Sequence, residues 1–282
     1  MIRICLTGSE GFIGSNLSTF LKKKNFFLYK INRKKFNKNY LVKVIKKSDV
    51  LIHCVGSGEI KIDKNQHNKN NFKSTKKILS AIKCSKNFNL HLIFLSTQAV
   101  YAKSNSLIDE STSINPINHY GKTKFQSEQI IKNFDFVKKK TILRLFSIYG
   151  GGIKKQIFWD AFNKLKKNIF TFYGNGNQIR DFLNVKDFNI LMNKIIKHKN
   201  NYYFEIFNVG SGEKTRIKHL INLILKKINR SEQIKFIKDK KFDNFNYVAN
   251  ISKVSKYFKW TPKIKILDGT KRYATWFKKN YS

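Results

Sequence analysis

The amino-acid sequence predicts an α/β protein whose main domain is a doubly wound parallel sheet. Three observations predict it. Short apolar runs alternate with helical segments through the first half of the chain, as βαβ units require. A glycine-punctuated turn follows the first of those runs, at Gly8, Gly11 and Gly14. The pattern then breaks after Tyr149, at Gly150, Gly151 and Gly152, where a smaller domain begins. Taken in order, residues 3–7 read as a buried strand, 12–24 as a helix and 26–31 as a second strand. Val50 to Val55 is a third strand, followed by a helix over 71–86 and a fourth strand over 91–96. A helix over 120–132 and a strand over 140–145 close the series. Right-handed crossovers turn such a series into a doubly wound sheet whose ligands sit above the carboxyl ends of the strands. The boundaries are 1–150 for the sheet domain, with a return segment near 178–208. Residues 151–282 form the smaller α/β domain, with helices near 187–197 and 217–227.

Composition narrows the class. Of 282 residues, 41% are apolar and only 2 are proline, so a sizeable core is available and no linker separates independent modules. The first residues lead straight into the glycine turn and lack the build of a signal peptide. No window reaches the roughly 18 apolar residues of a membrane span. The three cysteines, Cys5, Cys54 and Cys84, are far apart and read as reduced thiols, Cys5 and Cys54 inside strands; a cytoplasmic protein is expected. The histidines show no ligand spacing, so no metal is expected. The formal charge is +40, yet the basic residues are spread over the chain and few are arginines. Lysine, asparagine, isoleucine and phenylalanine are abundant together, and their AT-rich codons make compositional drift a better account than a nucleic-acid partner.

Thr7-Gly8-Ser9-Glu10-Gly11-Phe12-Ile13-Gly14 links the first strand to the first helix. Gly8 permits the tight turn, Gly11 lets backbone approach a pyrophosphate, and Gly14 allows close packing of helix on strand. Gly8, Gly11, Phe12, Ile13 and Gly14 are thus the candidate dinucleotide contacts, with backbone N–H groups and the helix dipole facing the phosphates. This strand, turn and helix make the fold Rossmann-type. At the end of the second strand an acid would bind the adenosine ribose. Here Asn32 is followed by Arg33, Lys34 and Lys35, which leans the cofactor from NAD towards NADP(H).

Tyr120 and Lys124 stand at i and i+4 on the predicted helix, one face of which they share. An ammonium near a phenol favours the phenolate, making Tyr120 a general acid/base. Thr97, just past the fourth strand, can hydrogen-bond the same reacting oxygen.

With these residues goes a run of segments in order: TGSEGFIGS (7–15), DVLIHCVG (49–56), Asn71 before a helix, FLSTQAVY (94–101), Pro116, YGKTK (120–124) and Glu128. LRLFSIYGGG (143–152), GNGNQIRDFLNVKDF (174–188), FNVGSGE (207–213) and SKYFKWTPK (255–263) follow. The sequence resembles the extended short-chain dehydrogenase/reductases, in their nucleotide-sugar epimerase/dehydratase/reductase group, over nearly its whole length. The resemblance implies a catalytic triad of Thr97, Tyr120 and Lys124, with Lys124 also holding the nicotinamide ribose. It places Asn71 at the cofactor, gives Arg180 the phosphates of the sugar nucleotide, and makes the smaller domain substrate-binding. It also implies a homodimer through a four-helix bundle of the helices near 71–86 and 120–132. Asp187 reads as a helix cap. Three departures stand out: Asn32 replaces the usual acid, Gly56-Ser57 stand where small alanines are common, and Gln98-Ala99 replace the Asp-Glu pair of the dehydratases.

The expected activity is therefore an NAD(P)-dependent epimerase inverting a ring carbon, C4 first, of a nucleotide-linked hexose. The alternative is an NADPH-dependent reductase of 4-keto sugar nucleotides, towards which Asn32-Arg33 leans. A third reading, of a different class, is a non-catalytic nucleotide- or RNA-binding protein on the same fold.

Overall fold

A computed structural model describes residues 1–58, 63–104, 107–199, 203–237 and 246–281 of the chain. The elements are β1 (Arg3–Thr7), α1 (Phe12–Lys22), β2 (Phe27–Ile31), α2 (Lys38–Ile45), β3 (Val50–His53), α3 (Lys64–His67), α4 (Ser74–Ser85), β4 (His91–Thr97), α5 (His119–Lys132) and β5 (Lys139–Leu145). Then come β6 (Ser147–Tyr149), α6 (Gln156–Lys166), β7 (Thr171–Tyr173), β8 (Ile179–Arg180), β9 (Phe182–Asn184) and α7 (Val185–Lys197). The series ends with β10 (Phe204–Val209), β11 (Thr215–Arg216), α8 (Ile217–Lys227), β12 (Lys235–Ile237), α9 (Ser252–Phe258) and α10 (Ile266–Tyr281).

Two compact units form. The first comprises Met1–Ala102, Glu110–Leu145 and Leu191–Asn208. Its six-stranded sheet runs β10-β5-β4-β3-β1-β2. β1 pairs in parallel with β2 and β3, and β4 pairs in parallel with β3 and β5, which makes the fold Rossmann-type. Ile4, Cys5 and Leu6, like Leu51 and Ile52 of β3, are fully buried, because a parallel sheet covered by helices leaves its central strands no wet face. Strand order reverses between β1 and β3, so the carboxyl ends of those two strands flank the crevice where such sheets take ligands.

Some details differ from expectation. Lys38–Ile45 is a helix that the lysines and asparagines had masked; Asn37 caps it by accepting the Tyr40 N–H (3.0 Å), and Leu41, Val44 and Ile45 face inward. The helix expected over 71–86 begins at Ser74, after a π-helical turn over Asn68–Lys73. Cys54 lies just past β3, and Cys84 is exposed on α4; all three thiols are free. Residues 200–202 of the return segment lie outside the described residues.

The second unit comprises Lys103–Asp109, Phe146–Ile190 and Val209–Ser282. Three two-stranded pairs, β6-β9, β8-β11 and β7-β12, carry its helices. Tyr149, Phe158, Phe162 and Tyr273 stack at its centre, with ring centroids 4.4–5.3 Å apart where they touch. Asp181, 1% exposed, accepts from the Ser211 N–H and hydroxyl and from the amides of Gly212 (2.9 Å) and Ala249 (3.1 Å). Asp187 does not cap its own helix by a bond to that helix. Its carboxylate accepts the Lys263 and Ile264 amides at 3.0 and 2.8 Å, anchoring the segment before α10.

Candidate active site

The glycine turn is built as its sequence requires. Gly8 adopts φ +68°, a left-handed conformation that glycine tolerates without cost, and the Gly11 N–H returns to its carbonyl at 3.1 Å. A side-chain carbon at Gly14 would run into the Gly8 carbonyl oxygen, so helix and turn touch only because that position is bare. A carbon at Gly8 would meet the Cys54 carbonyl at 2.9 Å, which seats the turn against the exit of β3. No side chain caps α1, and no acid stands in its first turn. Its first N–H groups and positive dipole end are therefore free to meet a phosphate, and this cradle fits a dinucleotide pyrophosphate.

The exit of β3 leads to the second cluster. Gly56 lies so close to Asn71 and Lys124 that a side-chain carbon there would sit 2.9 Å from Asn71 Oδ1 and 3.1 Å from Lys124 Nζ. Asn71, 1% exposed, accepts the Ser57 N–H (3.0 Å) and donates to Thr123 Oγ1 (3.0 Å). Its side chain thus ties the loop after β3 to α5. The π-helical turn also leaves the Asn71 carbonyl to accept from the Ser74 and Thr75 hydroxyls at 2.9 and 2.8 Å. π-turns of this kind are frequent at functional sites.

Asn118 fixes the start of α5 by accepting the Gly121 N–H at 2.8 Å, which puts Tyr120 in the first turn and Lys124 one turn later. Thr97, at the end of β4, donates to Gln98 Oε1 and accepts the Ala99 N–H, both at 3.2 Å, and its hydroxyl is close enough to the Tyr120 phenol to influence it. Lys124, 4% exposed, donates to the Leu95 carbonyl at 2.7 Å and lies 4.5 Å from the centre of the Phe94 ring. Burial pulls its pKa down to about 8, with Cys54 and Glu128 opposing. Burial pushes the Tyr120 phenol up, and the nearby Thr97 hydroxyl opposes the rise. The expectation that Lys124 lowers the phenol is not met in this state, because its ammonium is turned to the Leu95 carbonyl. A cavity of about 370 Å³ opens beside Tyr120, lined by Asp63, Lys64, His67, Asn118 and His119.

Behind this cluster lies a network that spacing alone did not expose. Glu128, one turn beyond Lys124 and 1% exposed, accepts from Ser96 and from Arg144, whose Nη2 is 2.7 Å away. The Arg144 guanidinium lies over the Tyr101 ring at 4.7 Å, and Tyr101 donates to Asn208 Oδ1 at 2.6 Å. Under the sheet, fully buried His53 shares hydrogen bonds with Thr7 (2.9 Å) and Thr75 (3.3 Å); burial lowers its pKa to about 3, so it is neutral. These residues lie in or beside segments that carry the resemblance, but nothing in the sequence pairs Glu128 with Arg144 or Tyr101 with Asn208.

Thr97, Tyr120, Lys124, Asn71, the glycine turn, Asn32 and Arg33 thus all belong to the first unit. Asn32 is half-buried at the end of β2 and Arg33 is exposed. Arg180 belongs to the second unit: it pairs with Thr215 in β8-β11, donates to the Ile179 carbonyl (3.0 Å) and lies 5.4 Å from the centre of the Tyr247 ring. Among the described residues no cluster of three or more His, Cys, Asp or Glu side chains is arranged for a metal ion, and no helix is long and apolar enough to cross a membrane.

The family model described as NAD dependent epimerase/dehydratase family matches residues 4–210. An uncharacterized protein of Methanocaldococcus jannaschii is 26% identical over 323 residues, covering 98% of this chain and 96% of that relative. A putative UDP-glucose 4-epimerase of the same organism is 30% identical over 201 residues, covering 67% of this chain and 63% of that relative. Among solved structures, UDP-glucuronic acid 4-epimerase from Bacillus cereus, in complex with UDP-glucuronic acid and NAD, superposes with a TM-score of 0.88 at 24% identity. That likeness spans 99% of this chain and 100% of the other, and it establishes the fold.

Proposed function

Because this chain belongs to the NAD-dependent epimerase/dehydratase family, we propose that it is a nucleotide-sugar epimerase that inverts a ring carbon, C4 first, by reversible hydride transfer. One observation carries the reading: the loop after β3 packs against the glycine turn at Cys54 and against Asn71 and Lys124 at Gly56. A dinucleotide cradled on that turn therefore has the Thr97-Tyr120-Lys124 cluster next along the same surface. Such a dinucleotide, when bound, supplies reversible hydride acceptance at its nicotinamide ring.

The chain's own residues supply the rest. Tyr120 takes the proton of the sugar hydroxyl at its phenolic oxygen and returns it in the reverse half-reaction. Thr97, whose hydroxyl lies near the Tyr120 phenol, turns from Gln98 to donate to the oxygen on which charge develops. Lys124, protonated at neutral pH with a pKa near 8, holds positive charge at the base of the cluster. For Lys124 to favour the phenolate it must leave the Leu95 carbonyl or share its protons with it, since the phenol by itself is held in the neutral form by burial. Asn71 keeps loop and helix in register through Ser57 and Thr123. Epimerisation would follow if the oxidised sugar turned over in the site before its reduction, for which the bound dinucleotide would supply the hydride and Tyr120 the proton.

The relatives named for UDP-sugar epimerisation support a nucleotide-linked hexose, and Arg180 is the proposed contact for its phosphates. A cytoplasmic homodimer, paired through α4 and α5, belongs to the same reading. On charge alone, the β2 end with Asn32 and Arg33 leans towards NADP(H), the feature that favours a 4-keto sugar reductase as the second reading. The test is a screen of UDP-, dTDP-, CDP- and GDP-hexoses with NAD and with NADPH, read by mass spectrometry and sugar NMR. An epimerase gives a C4 epimer without net cofactor consumption, whereas a reductase steadily consumes NADPH with a 4-keto sugar. Tyr120→Phe is expected to cost about 10²–10⁴-fold in turnover while dinucleotide binding persists. Unchanged turnover in that variant would reject the assignment.

A further inference from the structure

The basic run after β2 is half of what a dinucleotide would meet at the adenosine end. The other half comes from the glycine turn. Asn32 Oδ1 accepts the Lys35 N–H at 3.1 Å, which fixes the amide so that its Nδ2 faces outward from that turn of chain. Nδ2 donates to Glu10 Oε1 at 3.2 Å. The Ser9 N–H reaches the Ile31 carbonyl at 3.4 Å, drawing the turn to the strand end. Glu10 is exposed, and among the described residues it forms no ion pair, with Arg33 or with any lysine.

We infer that Glu10 supplies, from the glycine turn, the carboxylate that β2 lacks at its end, and that it selects a dinucleotide with free ribose hydroxyls over one carrying a 2′-phosphate. Asn32 is then the holder of the acid and not its replacement. A carboxylate at the end of the second strand accepts from ribose hydroxyls. The same carboxylate repels a 2′-phosphate of like charge, and its site is exposed, so the repulsion is moderate and sensitive to salt. Arg33, Lys34 and Lys35 attract the phosphate, but as exposed side chains they are screened in the same way. Glu10 is held in place by the Asn32 bond, whereas the Lys35 ammonium lies over the Tyr40 ring at 5.7 Å. The inference revises the lean that charge alone gave and rests on the reading of this turn as a dinucleotide site.

The test is calorimetric titration of the full chain with NAD⁺ and with NADP⁺, for the native protein, Glu10→Gln and Asn32→Ala. The native protein is expected to bind NAD⁺ about tenfold more tightly than NADP⁺ at low salt. Glu10→Gln should erase most of that ratio, chiefly by tightening NADP⁺. Asn32→Ala should reduce it by releasing Glu10. Equal or tighter binding of NADP⁺ by the native protein, or an unchanged ratio in Glu10→Gln, overturns the role of Glu10 and leaves the dinucleotide site standing. Failure of the native protein to bind either molecule overturns both.

Discussion

The ion pair behind the catalytic helix gives the sharpest stability prediction. Glu128 and Arg144 are 1% and 3% exposed, and each has given up its hydration for the other. Glu128 Oε2 takes the Arg144 Nη2 at 2.7 Å and Nε at 3.2 Å, and its other oxygen receives Ser96. Arg144 has the Tyr101 ring at 4.7 Å as its remaining support, while its Nη1 is buried with no hydrogen-bond partner. Glu128→Gln keeps the volume and removes the charge, stranding the guanidinium in a dry site. Breaking one side of such a pair costs about 3–5 kcal/mol. Total stabilities run to about 5–15 kcal/mol, so this is a large fraction. At about 2 °C per kcal/mol for a chain of this size, the melting point should fall by roughly 6–10 °C. Replacing both partners, Glu128→Gln with Arg144→Met, should recover most of the loss, because a buried pair contributes little over a well-filled neutral one. The assay is urea unfolding followed by far-UV circular dichroism, arranged as a double-mutant cycle. A loss under about 1 kcal/mol for Glu128→Gln, or a double variant as unstable as the sum of the singles, would refute the argument.

Two further outcomes follow from the same geometry. Lys124 is held near pKa 8 in the folded chain against 10.5 when free, so between pH 8 and 10.5 the unfolded chain binds more protons. Stability should therefore rise with pH across that window, by roughly 3 kcal/mol at most, and Lys124→Met should remove the rise while stabilising the protein near pH 7; identical pH profiles for the two proteins would contradict this. Gly14→Ala places a carbon against the Gly8 carbonyl, so despite the better helix propensity of alanine it should weaken dinucleotide binding at least about tenfold and cost about 1–3 kcal/mol in thermal unfolding; unchanged affinity in a titration would show that the turn can yield.

What the sequence by itself determined was whatever depends on neighbours along the chain. Alternation of apolar runs and helices gave the sheet, because period and turn chemistry are local. The spacing of Gly8, Gly11 and Gly14 gave the cradle, and the i, i+4 relation put Tyr120 and Lys124 on one face of α5. Helix α2 escaped because its apolar positions, Leu41, Val44 and Ile45, are diluted by lysines that the fold simply leaves in water. Tertiary structure alone decided the rest. No spacing announces that Asn71 will spend its amide on Ser57 and Thr123, that Arg144 will find Glu128, or that Glu10 will be drawn to Asn32. Those partners lie 14, 52, 16 and 22 residues apart, and the crossovers of the sheet bring them together. The protonation of the cluster belongs to the same category: burial, which is a property of the packed fold, raises the Tyr120 phenol and lowers Lys124, whatever their order in the chain.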